Sequence, residues 1–304
     1  MNCGEIRLIE SIRRRSKLGS SAELLLGIGD DCAIYRPRGA REDLLFTTDL
    51  LLEDVHFRSR THRAEDVGHK ALARGLSDIA AMGGDPRFCL VSLSLTPSTG
   101  ERWLDEFYRG LLRLAARHSV ALAGGDLARS ALLGCDIVVC GAVPRGQALR
   151  RDGARAGDAV YVSGRLGRSA LGLETGRGTA WKRHLRPEPR LALGRYLREK
   201  LRATAAMDLS DGLSLDLQRL CLASGVAADI FDPPRFRGAS LEQALHGGED
   251  YELLFTLSPR TSPPAQFEGL RLTRIGVVRK GRAGEVRLDG RPLRPLGYDH
   301  FRKT

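Results

Sequence analysis

Aspartates recur beside glycine or a hydroxyl residue at what read as strand ends and turns, not in the middle of charged surface faces. Five segments show the pattern: Gly27-Ile-Gly-Asp-Asp31, Thr47-Thr-Asp49, Leu76-Ser-Asp78, Gly124-Gly-Asp126 and Asp208-Leu-Ser-Asp-Gly212. Gly247-Gly-Glu-Asp250 is a possible sixth. Carboxylates drawn together from separate loops repel one another unless a cation neutralises them, so a cluster of this kind predicts hard, oxygen-liganded Mg²⁺. Each segment also has a plainer reading. Asp beside Gly is common turn chemistry, and Asp208 or Ser210 can cap the helix that follows. Asp78 shares a helical stripe with Lys70 and Arg74, which allows an intrahelical ion pair. His56, Arg151, Glu249 and Tyr298 can each be ordinary surface or partly buried residues.

The nucleotide signatures that are absent narrow the chemistry. No G-x-x-x-x-G-K-[ST] run occurs, nor the H-R-D and D-F-G pair of protein kinases, nor a G-x-S-x-G elbow. Gly27-Ile-Gly29 begins like a dinucleotide fingerprint, but Cys32 stands at the third glycine position and the Asp30-Asp31 pair repels a pyrophosphate unless a metal intervenes.

The elements that position these residues read as two mixed α/β units. The chain has 304 residues, 42% of them hydrophobic and 28% charged, an ordinary globular composition. A helix is expected over 4–15, strands over 32–36 and 44–48, and a helix over 65–82 stopped by Gly83-Gly84. A strand over 88–95 follows, then a helix capped by Thr99 and strands over 120–123 and 137–143. The Gly-rich polar stretch around 145–157 suggests a boundary, giving units 1–148 and 149–304. The second unit reads as a strand over 159–163, a helix through Gly172, a long helix from Pro187 to Lys200, a strand over 203–209 and a helix over 213–223. Strands over 226–231 and 251–257 complete it, with a strand tail from Arg274 turning at Asp289-Gly290.

The net charge of +11 comes from arginines spread along the chain without aromatic interleaving, which points to neither nucleic acid nor a membrane surface. The longest apolar run, Leu132 to Val143, is broken by Asp136, so no membrane span is expected. The N-terminal residues lack an export signal, and the six cysteines, Cys3 among them, form no C-x-x-C pair. A cytoplasmic protein with reduced thiols is the expectation.

In order along the chain, these segments resemble the thiamine-monophosphate kinase family, of the superfamily that includes aminoimidazole ribonucleotide synthetase and selenophosphate synthetase. The resemblance runs almost end to end. It takes in Gly29-Asp-Asp31, Thr47-Thr-Asp49 with His56-Phe57, Lys70-Ala-Leu-Ala73 and Leu76-Ser-Asp-Ile-Ala-Ala-Met-Gly83. It continues through Gly124-Gly-Asp126, Arg186-Pro187, Asp208 to Gly212, Gly247-Gly-Glu-Asp-Tyr-Glu-Leu253 and Gly297-Tyr-Asp-His-Phe301. It implies that Asp30, Thr47, Thr48, Asp49, Asp78, Asp126, Asp208 and Asp211 ligate or orient several magnesium ions. Tyr108, Gly125, Arg151 and Ser210 are then ATP contacts, and His56, Glu249 and Tyr298 contact thiamine monophosphate. The implied fold is two-domain and aminoimidazole ribonucleotide synthetase-like, its N-terminal sheet pairing in a homodimer. Leu127, Ala128 and Gly75 depart from the family pattern, and Gly75 inside a helix costs about 1 kcal/mol relative to Ala.

The implied reaction suits an acidic site. A phosphate monoester is mostly a dianion near neutral pH, with a second pKa of about 6, and needs no general base. The obstacle is bringing it against the γ-phosphate of ATP, so direct in-line transfer is expected, with Asp49, Asp126, Asp211 and Arg151 at the reacting groups. The alternatives are another ATP-using synthetase or cyclase of the superfamily, or a non-catalytic nucleotide-binding module.

Overall fold

The computed structural model describes residues 4–16 and 22–301; Cys3 lies outside them. The first half runs α1 (Glu5–Arg15), β1 (Leu24–Leu26), β2 (Ala33–Tyr35), β3 (Glu42–Leu52), α2 (Ala64–Ala81), β4 (Asp85–Leu95), α3 (Glu101–Arg117), β5 (Ala121–Arg129) and β6 (Gly134–Pro144). Its strands form one sheet in the order β1-β2-β3-β6-β4-β5, antiparallel except where β4 and β5 run parallel. Alternation decides its two faces. On β3, Leu45 and Leu51 are buried while Thr48 and Leu50 are exposed. The inner face and α3 enclose α2, whose apolar residues Val67, Ala71, Leu72, Leu76 and Ile79 are all buried.

The second half runs β7 (Ala159–Ser163), α4 (Arg168–Thr175), α5 (Gly178–Leu185), α6 (Leu191–Tyr196), β8 (Ala205–Asp208), α7 (Leu213–Ser224), β9 (Ala227–Ile230) and α8 (Leu241–His246). It ends with β10 (Leu253–Leu257), β11 (Gln266–Phe267), β12 (Leu270–Arg279), β13 (Val286–Leu288) and β14 (Arg291–Pro292). The second sheet has the order β14-β13-β9-β12-β7-β10-β8, with β11 alongside β12. Val162, Met207, Leu254 and Ile275 on one face pack with Leu213, Leu217 and Leu220 of α7. On the other, Leu253, Phe255 and Leu257 meet Leu193 and Leu197 together with Ala80 and Ala81 from α2, so α2 belongs to both cores.

Several elements differ from the sequence reading. The long helix expected from Pro187 begins only at Leu191, because Pro187 and Pro189 hold their preceding residues extended; it then widens into a π-helical turn, Leu197–Leu201. The strand expected to end at Ala123 continues through Gly124, Gly125 and Asp126 to Arg129. Thr99 does not cap α3: its hydroxyl bonds Thr96, and Gly100 holds the cap position without a side-chain bond. The Asp289-Gly290 turn is as expected, with φ of 48° and 80°, the paired left-handed residues of a type I′ hairpin. Among the described residues, no helix is long and apolar enough to cross a membrane.

Candidate active site

The helix α2 is the spine of the site. Lys70, Arg74, Ser77 and Asp78 follow helical spacing, so their side chains leave one side of the helix together. None pairs with another. Lys70, fully buried, places Nζ 2.7 Å from Glu249 Oε1. Arg74 reaches Asp49 at 2.8 Å, and Ser77 Oγ donates to Asp208 Oδ2 at 2.6 Å across the seam between the two sheets. Asp78 accepts a hydrogen bond from Thr47 of β3. The intrahelical pairing open at the level of sequence is therefore replaced by links to three other segments.

Three carboxylates converge where these links meet. Asp31, Asp78 and Asp208 each offer an oxygen within 4.8 Å of the other two. Burial raises all three pKa values. Asp31 is pushed to about 8 and Asp208 to about 7, and Asp78 goes well above the usual carboxylate range with Asp49, Asp208 and Asp31 adding repulsion. Asp31 Oδ2 is buried with no hydrogen-bond partner. An orphaned carboxylate oxygen among mutually repelling, desolvated aspartates fits a divalent, oxygen-seeking cation. The sequence reading chose Asp30 of the Asp30-Asp31 pair. In the fold Asp30 accepts hydrogen bonds from the backbone N–H and Nε of Arg151, each at 3.2 Å, while Asp31 also pairs with Arg151 and enters the cluster.

A cavity of about 710 Å³ opens beside this cluster and takes in Asp49, His56, Asp78, Asp208, Ser210, Asp211, Glu249 and Tyr298 from the expected set. His56 Nδ1 accepts the N–H of Leu52 at 3.1 Å, and burial lowers its pKa to about 4, so it is a neutral ring. His300 lies 5.1 Å from the His56 ring and 4.8 Å from that of Tyr298, completing an aromatic wall. Neither Asp208 nor Ser210 caps α7. Asp216 in the first turns of α7 instead ties down the turn before it, its Oδ2 accepting the N–H groups of Asp211 and Gly212 at 3.1 and 3.0 Å. Asp211 pairs with Arg219. Segments near both ends of the described residues form the rim: Glu5 and residues 296–300 line the cavity, and the Asp299 carboxylate accepts the N–H of Glu5 at 3.2 Å.

The remaining expected residues do not line this cavity. Thr48 points to the opposite face of the first sheet, where its hydroxyl donates to Asp136 at 2.8 Å. Asp126 shares that face, in a shallow hollow with Ser92 and Asp136, and Gly125 precedes it on the fully exposed edge strand β5. Tyr108 sits on α3 with its ring edge-on to Phe107. Ser77, Asp31, Asp136 and His300 were missed by the sequence reading. Ser77 and Asp31 each stood beside an aspartate already chosen, and that adjacency was the available signal.

Residues 29–143 match the family described as AIR synthase related protein, N-terminal domain. The chain is 37% identical to a thiamine-monophosphate kinase of Bacillus subtilis, covering 98% of this chain and 99% of that protein. It is 38% identical to the Escherichia coli K12 protein of the same name, covering 99% of each. The fold aligns with the structure described as AaThiL complexed with AMPPCP and TMP at a TM-score of 0.87 and 35% identity, covering 98% of this chain and 97% of that one. A thiamine-monophosphate kinase structure from Stenotrophomonas maltophilia aligns at 0.77 with 39% identity, covering 96% and 99%. Nearly full-length similarity to proteins of one activity, over a fold whose aspartates meet beside one cavity, places this chain in the thiamine-monophosphate kinase family.

Proposed function

We propose that the chain transfers the γ-phosphate of ATP directly to thiamine monophosphate, giving thiamine diphosphate. The observation that carries this reading is the convergence of Asp31, Asp78 and Asp208 at a cavity walled by His56, Tyr298 and His300. Carboxylates at one end suit cation-bound phosphates, and rings at the other suit a heteroaromatic substrate. Magnesium would be held by Asp31, Asp78 and Asp208, with Asp49 and Asp211 on the cavity wall and Thr47 bonded to Asp78 placed to orient bound water or phosphate. Its chemistry there would be to screen the charge between two anionic reactants.

The protein's own groups do the rest. Arg151 holds Asp30 and Asp31 in place and presents its remaining donors to phosphate oxygens. Ser77 fixes Asp208 by one oxygen and leaves the other free. Ser210 contributes a hydroxyl at the cavity wall. His56 is neutral and cannot compete for protons, which agrees with an acceptor that is already ionised. Glu249 is held ionised and still by Lys70, so it is a fixed wall for the substrate.

Thr48, Gly125 and Asp126 at the outer face of the first sheet, and Tyr108 on α3, are assigned to the nucleotide and its metals. Leu50, Leu90, Leu122 and Leu127 are exposed on that face and its edge. This exposed apolar surface supports a homodimer in which a second copy covers it, each copy made of two units divided at residues 148 and 149. A cytoplasmic location goes with this proposal.

ADP release with thiamine monophosphate, with and without magnesium, tests the reading against free thiamine as acceptor. Activity with the phosphate ester alone and only with metal is expected. Asp49→Asn and Asp211→Asn should abolish turnover while leaving the circular dichroism spectrum unchanged; wild-type rates in both variants reject the acidic site as the reaction centre.

A further inference from the structure

Charge is compensated unevenly around the main cavity. Asp49, Asp211 and Glu249 on its wall each pair with a cation of the protein itself: Arg74 at 2.8 Å, Arg219, and Lys70 at 2.7 Å. Arg151 does the same for Asp30 and Asp31. Asp78 and Asp208 instead accept hydrogen bonds from the hydroxyls of Thr47 and Ser77, which bring no charge. The positive side chains therefore leave one place for an external cation, the cluster of Asp31, Asp78 and Asp208, and Asp49 stands just outside it.

That exclusion is the work of Arg74, a residue that no step of phosphate transfer has so far used. Burial and then Asp49 raise the pKa of Asp78, so the Asp49 charge is felt at the cluster. Without a partner, Asp49 is a fourth carboxylate for the same ion. Arg74 leaves α2 on the same side as Ser77 and Asp78 and lines the cavity with its side chain only 15% exposed, so it cannot swing into solvent as a surface arginine does. Its Nε and Nη1 are buried with no hydrogen-bond partner among the described residues, which leaves the Asp49 pair as the contact that holds the group. Burial opposes the charge on Arg74, but Tyr251, Asp49, Glu249 and Asp78 outweigh it, and a guanidinium stays protonated in any case. The charge reaches across the cavity: after burial, Arg74 is the largest cause of the lowered His56 pKa.

We infer that Arg74 is the built-in counter-ion of Asp49, a positioning residue that withholds this carboxylate from the divalent cation at Asp31, Asp78 and Asp208. Asp49 then acts on water and phosphate beside a guanidinium rather than a metal, and one positive charge near the reacting groups belongs to the protein. The inference rests on the cation site of the phosphotransfer reading and assigns a residue beside it.

The experiment titrates Mn²⁺ into the chain without nucleotide or acceptor and follows the free ion by electron paramagnetic resonance. Arg74→Met removes the charge and keeps a long stem. Its dissociation constant for Mn²⁺ should fall at least about ten-fold, the scale of deleting one nearby like charge in a protein site. Arg74→Met with Asp49→Asn removes the pair as a unit and strands no charge, so its constant should lie within about three-fold of wild type. A merely structural arginine gives the opposite sign, because a loosened site binds Mn²⁺ no better than before. An unchanged or larger constant in Arg74→Met overturns the proposal. So does a constant about ten-fold larger in the double variant, which makes Asp49 a ligand already in the wild type. That second readout decides the matter even if the single variant does not fold. Mn²⁺ binding as expected without ADP release keeps the assignment of Arg74 and rejects the phosphotransfer reading; ADP release with a weakened double variant does the reverse.

Discussion

Lys70 is the residue whose environment departs furthest from its usual one. An ammonium with no solvent contact is tolerable only if paired, and its partner Glu249 also carries a strained left-handed backbone at φ 64°. Burial would raise the Glu249 pKa, but Lys70 first and then His184 hold it down to about 2. The folded-state value is below the ordinary one, so this carboxylate contributes stability above pH 4.5 and loses it as pH falls toward 2. Chemical denaturation of Glu249→Gln between pH 4.5 and 2 should therefore show a flatter stability profile than wild type. At neutral pH, Lys70→Met should cost roughly 3–5 kcal/mol, and Lys70→Met with Glu249→Leu should recover more than half of it. A double variant as unstable as the sum of the singles counts against the pair. Glu249, which the sequence offers as a candidate substrate contact, lines the cavity, whereas Lys70 reads from its helical stripe as a partner for Asp78. Periodicity shows which residues share a helical side and does not show what covers that side.

At the scale of elements, α2 explains Gly75, which propensity alone marks as a defect. A Cβ there would lie 2.5 Å from Val139 Cγ2 on β6, so the glycine lets the helix sit close enough to the sheet for Asp78 to reach Thr47. Gly75→Ala should therefore destabilise by about 1–3 kcal/mol through overpacking, although helix propensity predicts a gain of about 1. Val139→Ala in the same chain should return part of that loss, read from urea midpoints. The sequence located α2 to within a residue at each end, since eighteen periodic residues outvote one glycine. It failed for Gly124-Gly-Asp126, where turn chemistry suggested a loop and the chain continues as strand. Pairing with β4 imposes extended backbone on residues whose local preference is for turns.

For the whole molecule, the outer face of the first sheet is the feature composition could not reveal. All nine residues of β5 are exposed, and an uncovered edge beside exposed leucines invites association. Leu122→Glu with Leu127→Glu should halve the mass seen by light scattering and weaken ATP binding at least ten-fold, because Gly125 and Asp126 share that strand. An unchanged mass places the dimer contact elsewhere. Two sheets, their order of appearance and most of their strands were readable from alternation and helical period. How the halves lock together was not, since that depends on contacts between residues distant in sequence. A Cβ on Gly194 of α6 would stand 2.0 Å from the carbonyl oxygen of Ala80, and Asp85 grips Arg195 just beside it. Backbone packed against backbone fixes where the two halves touch. At the opposite rim the Asp299 carboxylate holds the first amide of α1, so that one contact sets how wide the mouth of the cavity stands.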